Sequence, residues 1–173
     1  NESQIVYASD AASNDTFGNS VSLSGDYAIV GAKGENSFKG GAYIFKRTGT
    51  TWSEQQKITA SDQSTGQYDY DNFGQSVSLS GDYAIVGAHG KNSWVGAAYI
   101  FKRTGTTWSE QQKITASGTT AQFGYSVSLI GDYAIVGARG ENSYTGAAYI
   151  FKREDVARPT TNVIVLSPGW GSP

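Results

Sequence analysis

Apolar and polar positions along the chain fall into four short patterns, none of which has the period of an α-helix. Residues 20–24, SVSLS, alternate polar and apolar, which is the two-residue period of a β-strand. Residues 27–32, YAIVGA, form a short apolar run, as expected of a strand that is buried on both faces. AYIFKR at 42–47 is rich in β-forming residues, and WSEQQKITA at 52–60 is longer and more polar. Because turn signals such as Ser-Gly-Asp and Thr-Gly-Thr-Thr separate these stretches, the pattern predicts a unit of four β-strands.

This four-strand unit occurs three times in the sequence. FGNSVSLSGDYAIVGA begins at Phe17, and close copies of it begin at Phe73 and Phe123. The stretch from Phe17 to Ala60 is as long as that from Phe73 to Ala116, so the length varies in the linker before each Phe. Four-stranded units of about 40 to 50 residues are the signature of β-propeller blades, and a solenoid of sheets is the alternative.

The order of motifs within each copy resembles a known family. Phe-Gly, then GDYAIVGA, then an Ala-Tyr-Ile-Phe strand is similar to the FG-GAP repeat of integrin α-subunit propellers and of many secreted bacterial proteins. The resemblance runs from Glu2 to about Arg153, three times over. It implies an all-β fold of three four-stranded FG-GAP-like blades and a secreted or cell-surface location. It implies less about activity, because a propeller is a scaffold that hosts many functions.

The repeats predict an N-terminal strand, three blades and a C-terminal tail. Their bounds are 1–10, 11–62 (blade 1), 63–117 (blade 2), 118–153 (blade 3) and 154–173. The N-terminal strand matches a fourth strand with no first three strands before it, whereas blade 3 lacks a fourth strand. Three blades also fall below the four to eight of most propellers. We therefore expect ring closure by strand exchange, as a homodimer in which each N-terminal strand completes the partner's third blade to give six blades.

Two alternatives to the closed ring stay open at this point. In the first alternative, the same exchange occurs without closure and gives a filament. In the second, the chain is a piece of a longer propeller. The tail adds a choice of its own. Residues 161–167, TNVIVLS, are a strand candidate between Pro159 and Pro168. This strand either completes blade 3 or pairs with another subunit.

The copies differ from one another mainly in the loop between the second and third strands. The loop keeps a chemical type in each copy: a cation or His, then Gly, a charge, Asn, Ser and an aromatic residue. In the integrin propellers that the chain resembles, the face carrying this loop and the linker to the next blade meets ligand. The candidate binding residues are Lys33, Glu35, Asn36 and Phe38 in copy one, His89, Lys91, Asn92 and Trp94 in copy two, and Arg139, Glu141, Asn142 and Tyr144 in copy three.

Several kinds of ligand suit this loop. An aromatic platform beside an amide and a cation suits a sugar ring, whose C–H groups lie on the aromatic face while polar groups bind its hydroxyls. Arg or Lys also suits an acidic peptide. The alternative is structural: the Asn-Ser-aromatic sequence only caps the end of the blade, with the aromatic side chain covering its hydrophobic edge.

A metal or other cofactor is not expected at the turn between the first two strands. The family pattern often carries an acidic calcium loop there, but this chain has a Ser-Gly-Asp type of turn with one carboxylate, Asp26 in copy one. Calcium takes six to eight oxygen ligands, so this Asp is predicted instead to accept backbone hydrogen bonds in the hairpin. A weaker candidate for a cation site is the long linker 62–72, where Asp62, Asp69 and Asp71 could share an ion.

Composition and motifs argue against catalysis and against several partners. The formal net charge of −2 over 173 residues provides no broad basic surface for nucleic acid, and no run is apolar enough to span a bilayer. The chain has no Cys, and its one His, His89, is replaced by Lys33 and Arg139 in the other copies. A general base would not be expected at a position that varies in this way, so we expect no enzyme activity.

Together these observations favour a non-catalytic extracellular binding or adhesion module, lectin-like or protein-binding. It would use the loops between strands two and three, and between blades, on one propeller face. The alternative is a structural subunit that polymerises into a filament or matrix through its terminal strands. The expected partners are another copy of the chain and a glycan or extracellular protein.

Overall fold

Three antiparallel β-sheets, one for each sequence repeat, make up the computed structural model, which describes residues 4–66, 69–116 and 122–152. The first sheet, blade 1, consists of β1 (Ser20–Ser24), β2 (Tyr27–Ala32), β3 (Gly41–Thr48) and β4 (Thr51–Ile58). Blade 2 consists of β5 (Phe73–Ser80), β6 (Tyr83–Ala88), β7 (Ala97–Thr104) and β8 (Thr107–Ile114). Blade 3 has three strands in its described part: β9 (Phe123–Ile130), β10 (Tyr133–Ala138) and β11 (Ala147–Lys152). The all-β prediction and the three blades are confirmed, whereas the tail 154–173 with its candidate strand 161–167 lies outside the described residues.

Each blade is a meander in which successive strands pair antiparallel. Two-residue hairpins join β1 to β2 and β3 to β4, since Ser24 pairs with Tyr27 and Thr48 pairs with Thr51. The first residue of the β1–β2 turn is Gly25, with a φ of 58°. This positive φ matches a type II′ hairpin turn, in which glycine leads.

The acidic residue of this hairpin has a different role from the one predicted. The Asp26 carboxylate accepts hydrogen bonds from the side chains of Arg47 at 2.6 Å and Lys46 at 3.3 Å. These two cations, Arg47 first, lower the pKa of Asp26. The prediction that its side chain accepts backbone hydrogen bonds is therefore wrong, because the turn aims the carboxylate at the basic end of β3.

Short left-handed turns connect the second and third strands of every blade. They are α1 (Glu35–Phe38), α2 (Lys91–Trp94) and α3 (Glu141–Tyr144). In α1, Asn36 has a φ of 49° and Phe38 a φ of 68°, a region that non-glycine residues rarely occupy. The turn presents its carbonyls to the next blade: Phe38 O accepts from Asn72 N at 2.9 Å, and Lys39 O accepts from Phe73 N at 3.1 Å. The left-handed backbone therefore ties one blade to the next.

The hydrophobic core lies between successive sheets. Val77 and Leu79 of β5 are 7% and 6% exposed and belong to one buried cluster with Ile29 of β2. The backbones approach closely at the same place, because a Cβ on Gly31 would lie 2.1 Å from the carbonyl oxygen of Gly74. Only glycine fits this contact, which explains the Gly within the apolar YAIVGA strand.

Candidate functional site

The strand-connecting turn and the linker to the next blade lie side by side at one end of each blade. In blade 1 the Gln63 side chain donates to the carbonyl oxygen of Gly40 at 3.1 Å, and Asn72 N donates to Phe38 O at 2.9 Å. The two variable segments that the sequence singles out are thus neighbours, and residues 62–66 and 69–72 of the linker lie between the turns of blades 1 and 2.

A buried ion pair folds this long linker against blade 2. Lys91 and Asp71 are 3% and 1% exposed, and their Nζ and Oδ2 atoms are 3.0 Å apart. The Asp71 carboxylate also accepts hydrogen bonds from the Ser64 amide at 2.8 Å and the Ser64 hydroxyl at 2.6 Å. Lys91, a candidate ligand residue from the sequence, therefore directs its charge into the protein.

The other acidic residues of the linker are also engaged within the chain. Asp62 accepts hydrogen bonds from Lys113 and from the Tyr99 hydroxyl, each at 2.7 Å. Burial opposes ionisation of Asp62, but these two hydrogen bonds, together with the positive charges of Lys91 and Lys113, outweigh it and lower the pKa of its carboxyl. Asp69 accepts from the Gly66 amide at 3.1 Å. Within the described ranges, no group of three or more acidic or His side chains is placed to hold a metal ion.

His89 is enclosed by aromatic side chains. It is 8% exposed, its ring centroid lies 5.3 Å from that of Trp94 and 5.4 Å from that of Tyr125, and its Nδ1 makes no hydrogen bond to a described residue. Burial, with the positive charges of Lys33 and Arg139, lowers the pKa of His89 to about 4. The imidazole is therefore neutral at neutral pH and serves as a packing group.

An open recess of about 280 Å³ lies between α2 and the linker. Its rim carries two exposed aromatic side chains, Trp94 at 46% and Tyr70 at 42%. Phe38 from blade 1 supports Tyr70 in an edge-to-face contact, with the ring centroids 5.5 Å apart. The residues that line the recess are Ser64, Asp69, Tyr70, Asp71, Gly90, Asn92, Ser93 and Trp94.

The sequence singled out part of this lining and missed the rest. Asn92 and Trp94 are candidate ligand-binding residues from the sequence, whereas Asp69 and Asp71 are candidates for a cation site. Tyr70 was not singled out, although it lies in the same YDYDN stretch as both acidic residues. An aromatic residue between two carboxylates in a long linker was the available signal.

Candidate residues of blade 1 are held by contacts within the protein. Glu35 Oε1 lies 2.6 Å from Lys57 Nζ in an ion pair, and Lys33 donates to the Gln75 side chain at 3.2 Å. Asn36 has the φ of 49° noted above, and Asn is among the residues that tolerate this conformation best. The structural alternative thus accounts for much of this loop.

Blade 3 presents its candidates more openly. Tyr144 is 66% exposed, and Arg139 lies over the Tyr125 ring, 5.1 Å from its centroid. Asn142 takes the same left-handed conformation as its counterparts, with a φ of 47°. Burial, and to a smaller extent the Glu141 carboxylate, raises the pKa of the Tyr149 hydroxyl. Tyr144 is not among the residues that line the recess of blade 2.

Comparison with known proteins agrees with the fold and the repeats. A family profile described as the FG-GAP repeat matches residues 1–45, 52–101 and 108–151. The comparison with curated proteins gave no match. In the described part of the chain, no helix has the length and apolar character needed to cross a membrane. The profile covers well over half of the sequence in three successive matches, and the chain therefore belongs to the FG-GAP repeat family.

Proposed function

We propose that this chain is a non-catalytic extracellular binding module and that its ligand site is the recess of blade 2. The observation that supports the proposal is the pairing of two exposed aromatic rings, Trp94 and Tyr70, with polar groups at one open recess. Large aromatic side chains left in water beside a concave surface are typical of binding sites. The buried Lys91–Asp71 pair behind the recess holds its wall in place before ligand arrives.

The lining favours a carbohydrate over an acidic peptide. The faces of Trp94 and Tyr70 suit the C–H groups of a sugar ring, and the Asp69 carboxylate and Asn92 amide suit its hydroxyls. An acidic peptide would need an available cation, and the one offered by this loop, Lys91, is 3% exposed and paired with Asp71. We therefore propose a neutral glycan as the ligand class, with an extracellular glycoprotein or matrix as its source.

An array of oligosaccharides, followed by calorimetric titration of the strongest hit, tests this proposal. Replacing Trp94 by Ala should weaken binding about five- to thirtyfold, since a stacked aromatic ring contributes about 1–2 kcal/mol. The matched control is Tyr144→Ala, which removes the equivalent exposed ring of blade 3, outside the recess of blade 2. Equal effects of the two variants, or a Trp94→Ala protein that binds as well as wild type, would contradict the proposal.

The proposal includes no catalytic role. A general base needs an accessible group that can take a proton at neutral pH. His89 is buried with a pKa of about 4, and the carboxylates of Asp62 and Asp71 are paired with lysines. Chemical modification of the array glycans by this protein during incubation would contradict this part of the proposal.

The proposal also includes assembly of the blades into a closed ring, at a secreted or cell-surface location. Blade 3 has three strands in its described part, and residues 4–10 lie beside blade 1 without joining its sheet. These two features support strand exchange between copies, as the six-bladed homodimer expected from the repeats. The second candidate function, a subunit that polymerises into a filament or matrix, uses the same contacts without closure.

A further inference from the structure

The interface between successive blades occurs twice in the chain, with the same backbone contact each time. Ser20 Oγ donates to Gly74 O at 2.8 Å between blades 1 and 2, and Ser76 Oγ donates to Gly124 O at 2.9 Å between blades 2 and 3. In both interfaces the glycine of the second strand lies against this carbonyl: a Cβ on Gly87 would be 2.0 Å from Gly124 O, as Gly31 would be 2.1 Å from Gly74 O.

The rest of the interface repeats as closely. Leu79 N donates to Ser22 Oγ at 3.0 Å, and one blade later Leu129 N donates to Ser78 Oγ at the same distance. The turn contact repeats as well, since the Trp94 carbonyl accepts from the residue before Phe123 at 3.0 Å, as Phe38 O does in blade 1. Each blade therefore has a leading face, on its first strand, and a trailing face that fits the leading face of the next blade.

The outer strands meet through two side chains that bind the neighbouring blade. The Gln56 amide donates to Trp108 O and accepts from Trp108 N, both at 2.8 Å. Five residues later, Ser61 N and Oγ both donate to the Glu110 carboxylate at 2.8 Å. The fourth strand of blade 1 and the residues after it thus recognise the fourth strand of blade 2.

The N-terminal segment makes the same contacts with blade 1. Gln4 binds the backbone N and O of Trp52, both at 2.8 Å, and Ser9 donates to the Glu54 carboxylate from its N at 2.8 Å and its Oγ at 2.9 Å. Residues 4–10 therefore occupy the place of the fourth strand of a blade that would precede blade 1.

The leading face of blade 1 is open. Val21 and Leu23 of β1 are 68% and 70% exposed. Their counterparts in blade 2, Val77 and Leu79, are 7% and 6% exposed because blade 1 covers them. The same pair of apolar side chains thus changes from core to surface only because no described blade precedes blade 1.

The trailing face of blade 3 is open in the complementary way. Ile135 of β10 is 42% exposed, whereas its counterparts Ile29 and Ile85 are fully buried. A Cβ on Gly137 would approach no backbone atom of a following blade and would meet the Ser126 side chain instead. The Ser126 hydroxyl makes no hydrogen bond to a described residue, although the hydroxyls of its equivalents, Ser20 and Ser76, each donate to a glycine carbonyl of the next blade.

We propose that a second copy of this chain occupies both open faces. The trailing face of blade 3 in one copy packs on the leading face of blade 1 in the other, through the contacts that join blades 1, 2 and 3. The occupant is a second copy because the two open faces are the two halves of an interface that the chain already forms twice. Two such contacts close a ring of six blades, within the usual four to eight. This inference deepens the assembly part of the proposed function and is independent of the glycan site.

The pairing of the third and fourth strands within blades 1 and 2 predicts how the exchanged strand pairs with blade 3. Ala42 lies opposite Ile58 between β3 and β4, and Ala98 lies opposite Ile114 between β7 and β8. By the same spacing, Val6 of one copy lies opposite Ala148 on the open edge of β11 in the other, as a fourth strand of blade 3. The Ser126 hydroxyl of one copy would then donate to the Gly18 carbonyl of the second copy. In the single chain, a Cβ built on Gly18 would meet no described atom within 4 Å beyond its two chain neighbours.

The repeated interface changes at two positions where the copies meet. Ile130 replaces the serines whose hydroxyls accept from Gly81 and Gly131, so one hydrogen bond is lost there. Ile5 replaces Lys57, the partner of Glu35, so the exchanged strand brings an apolar side chain towards Glu141. Replacing Ile5 by Lys should therefore tighten the dimer by supplying the missing ion pair.

Light scattering on a sizing column with the full chain is the first test. We expect twice the 18.4 kDa chain mass. Gly137→Ala should yield monomers with unchanged circular dichroism, because its methyl group would collide with the carbonyl of Gly18 in the second copy. The double variant Ser126→Ala/Gly137→Ala removes the contact within the chain and should also be monomeric. A wild-type monomer, polymers larger than two chains, or a Gly137→Ala protein that stays dimeric would overturn the proposal.

A cysteine pair tests the register directly, because the natural sequence has no Cys. Val6→Cys/Ala148→Cys should form a disulfide between two chains on oxidation, and Val6→Cys/Ile150→Cys, two residues out of register, should form it at least about tenfold more slowly. A disulfide within one chain would show that residues 4–10 reach the β11 edge of their own blade 3 and would overturn the exchange. Glycan affinity of the Gly137→Ala monomer, measured by calorimetry with a monovalent sugar, should stay unchanged, so failure of assembly and failure of the recess are separate results.

Discussion

The buried ion pair between Lys91 and Asp71 makes a specific prediction about stability. Replacing Asp71 by Asn keeps the size of the side chain and removes its charge. The Lys91 ammonium then remains 3% exposed with two neutral oxygens near it, the Ser64 hydroxyl at 3.2 Å and the Asp62 carbonyl. The only carboxylate left within reach among the described residues is that of Asp62, at 3.7 Å from Nζ.

The size of the effect follows from what remains around the ammonium. Removing one partner of a buried ion pair costs about 3–5 kcal/mol, because the other charge is left buried. The Asp62 carboxylate compensates part of this loss, so we expect Asp71→Asn to lower the free energy of unfolding by about 2–3 kcal/mol. Asp69→Asn is the matched control: Asp69 is exposed and accepts one hydrogen bond, from Gly66, so the expected loss is under about 0.5 kcal/mol.

Urea denaturation followed by tryptophan fluorescence measures both variants, with the free energy of unfolding taken by linear extrapolation. The double variant Lys91→Met/Asp71→Asn should recover more than half of the loss, because it leaves no charge buried. Asp71→Asn should also weaken glycan binding, since the linker wall of the recess loses its attachment. The reasoning is refuted if Asp71→Asn and Asp69→Asn lie within about 0.5 kcal/mol of each other, because Lys91 would then be solvated.

Two further predictions concern pH and the blade interface. His89 has a folded pKa of about 4 against an ordinary 6.5, so its contribution to stability is fully present above pH 6.5 and falls by about 3 kcal/mol towards pH 4. His89→Gln should flatten a plot of unfolding free energy against pH in this window, and an unchanged slope would contradict the assignment. Leu79→Ala should cost about 3 kcal/mol in urea unfolding, whereas Leu23→Ala should cost under about 0.5 kcal/mol in the monomer and weaken dimerisation; equal costs in the monomer would contradict the open leading face of blade 1.

The strands and hairpins could be predicted from the sequence because they depend on local patterns. The alternation of SVSLS, the continuous apolar run YAIVGA and the glycine that leads each hairpin act over a few residues, and three copies repeat the signal. The role of Asp26 escaped prediction because Arg47 and Lys46, which bind it, lie two strands away in the sequence. A Ser-Gly-Asp turn is equally compatible with an Asp side chain that accepts backbone hydrogen bonds and with one that binds the cations of β3.

The candidate site was predictable only in outline. The sequence placed variation in α2 and the linker, and those segments do meet at the recess. It could not show that Lys91 is buried, because the same position holds Glu35 and Glu141 in the other blades, and burial depends on Asp71 from a linker whose length is unique. The packing of His89 likewise depends on Tyr125 from the next blade. Contacts between repeats, rather than within them, decide which loop residues remain available to a ligand.

The indole N–H resonances of the four tryptophans give the most direct test of the proposed binding function. They are recorded by ¹⁵N–¹H correlation during titration with the strongest glycan from the array and assigned by single Trp→Phe variants. The proposal predicts that the Trp94 signal moves with saturating dependence on glycan concentration, while those of Trp52 and buried Trp108 stay in place. A Trp94 signal that stays in place while the glycan binds would place the ligand elsewhere and contradict the proposed site.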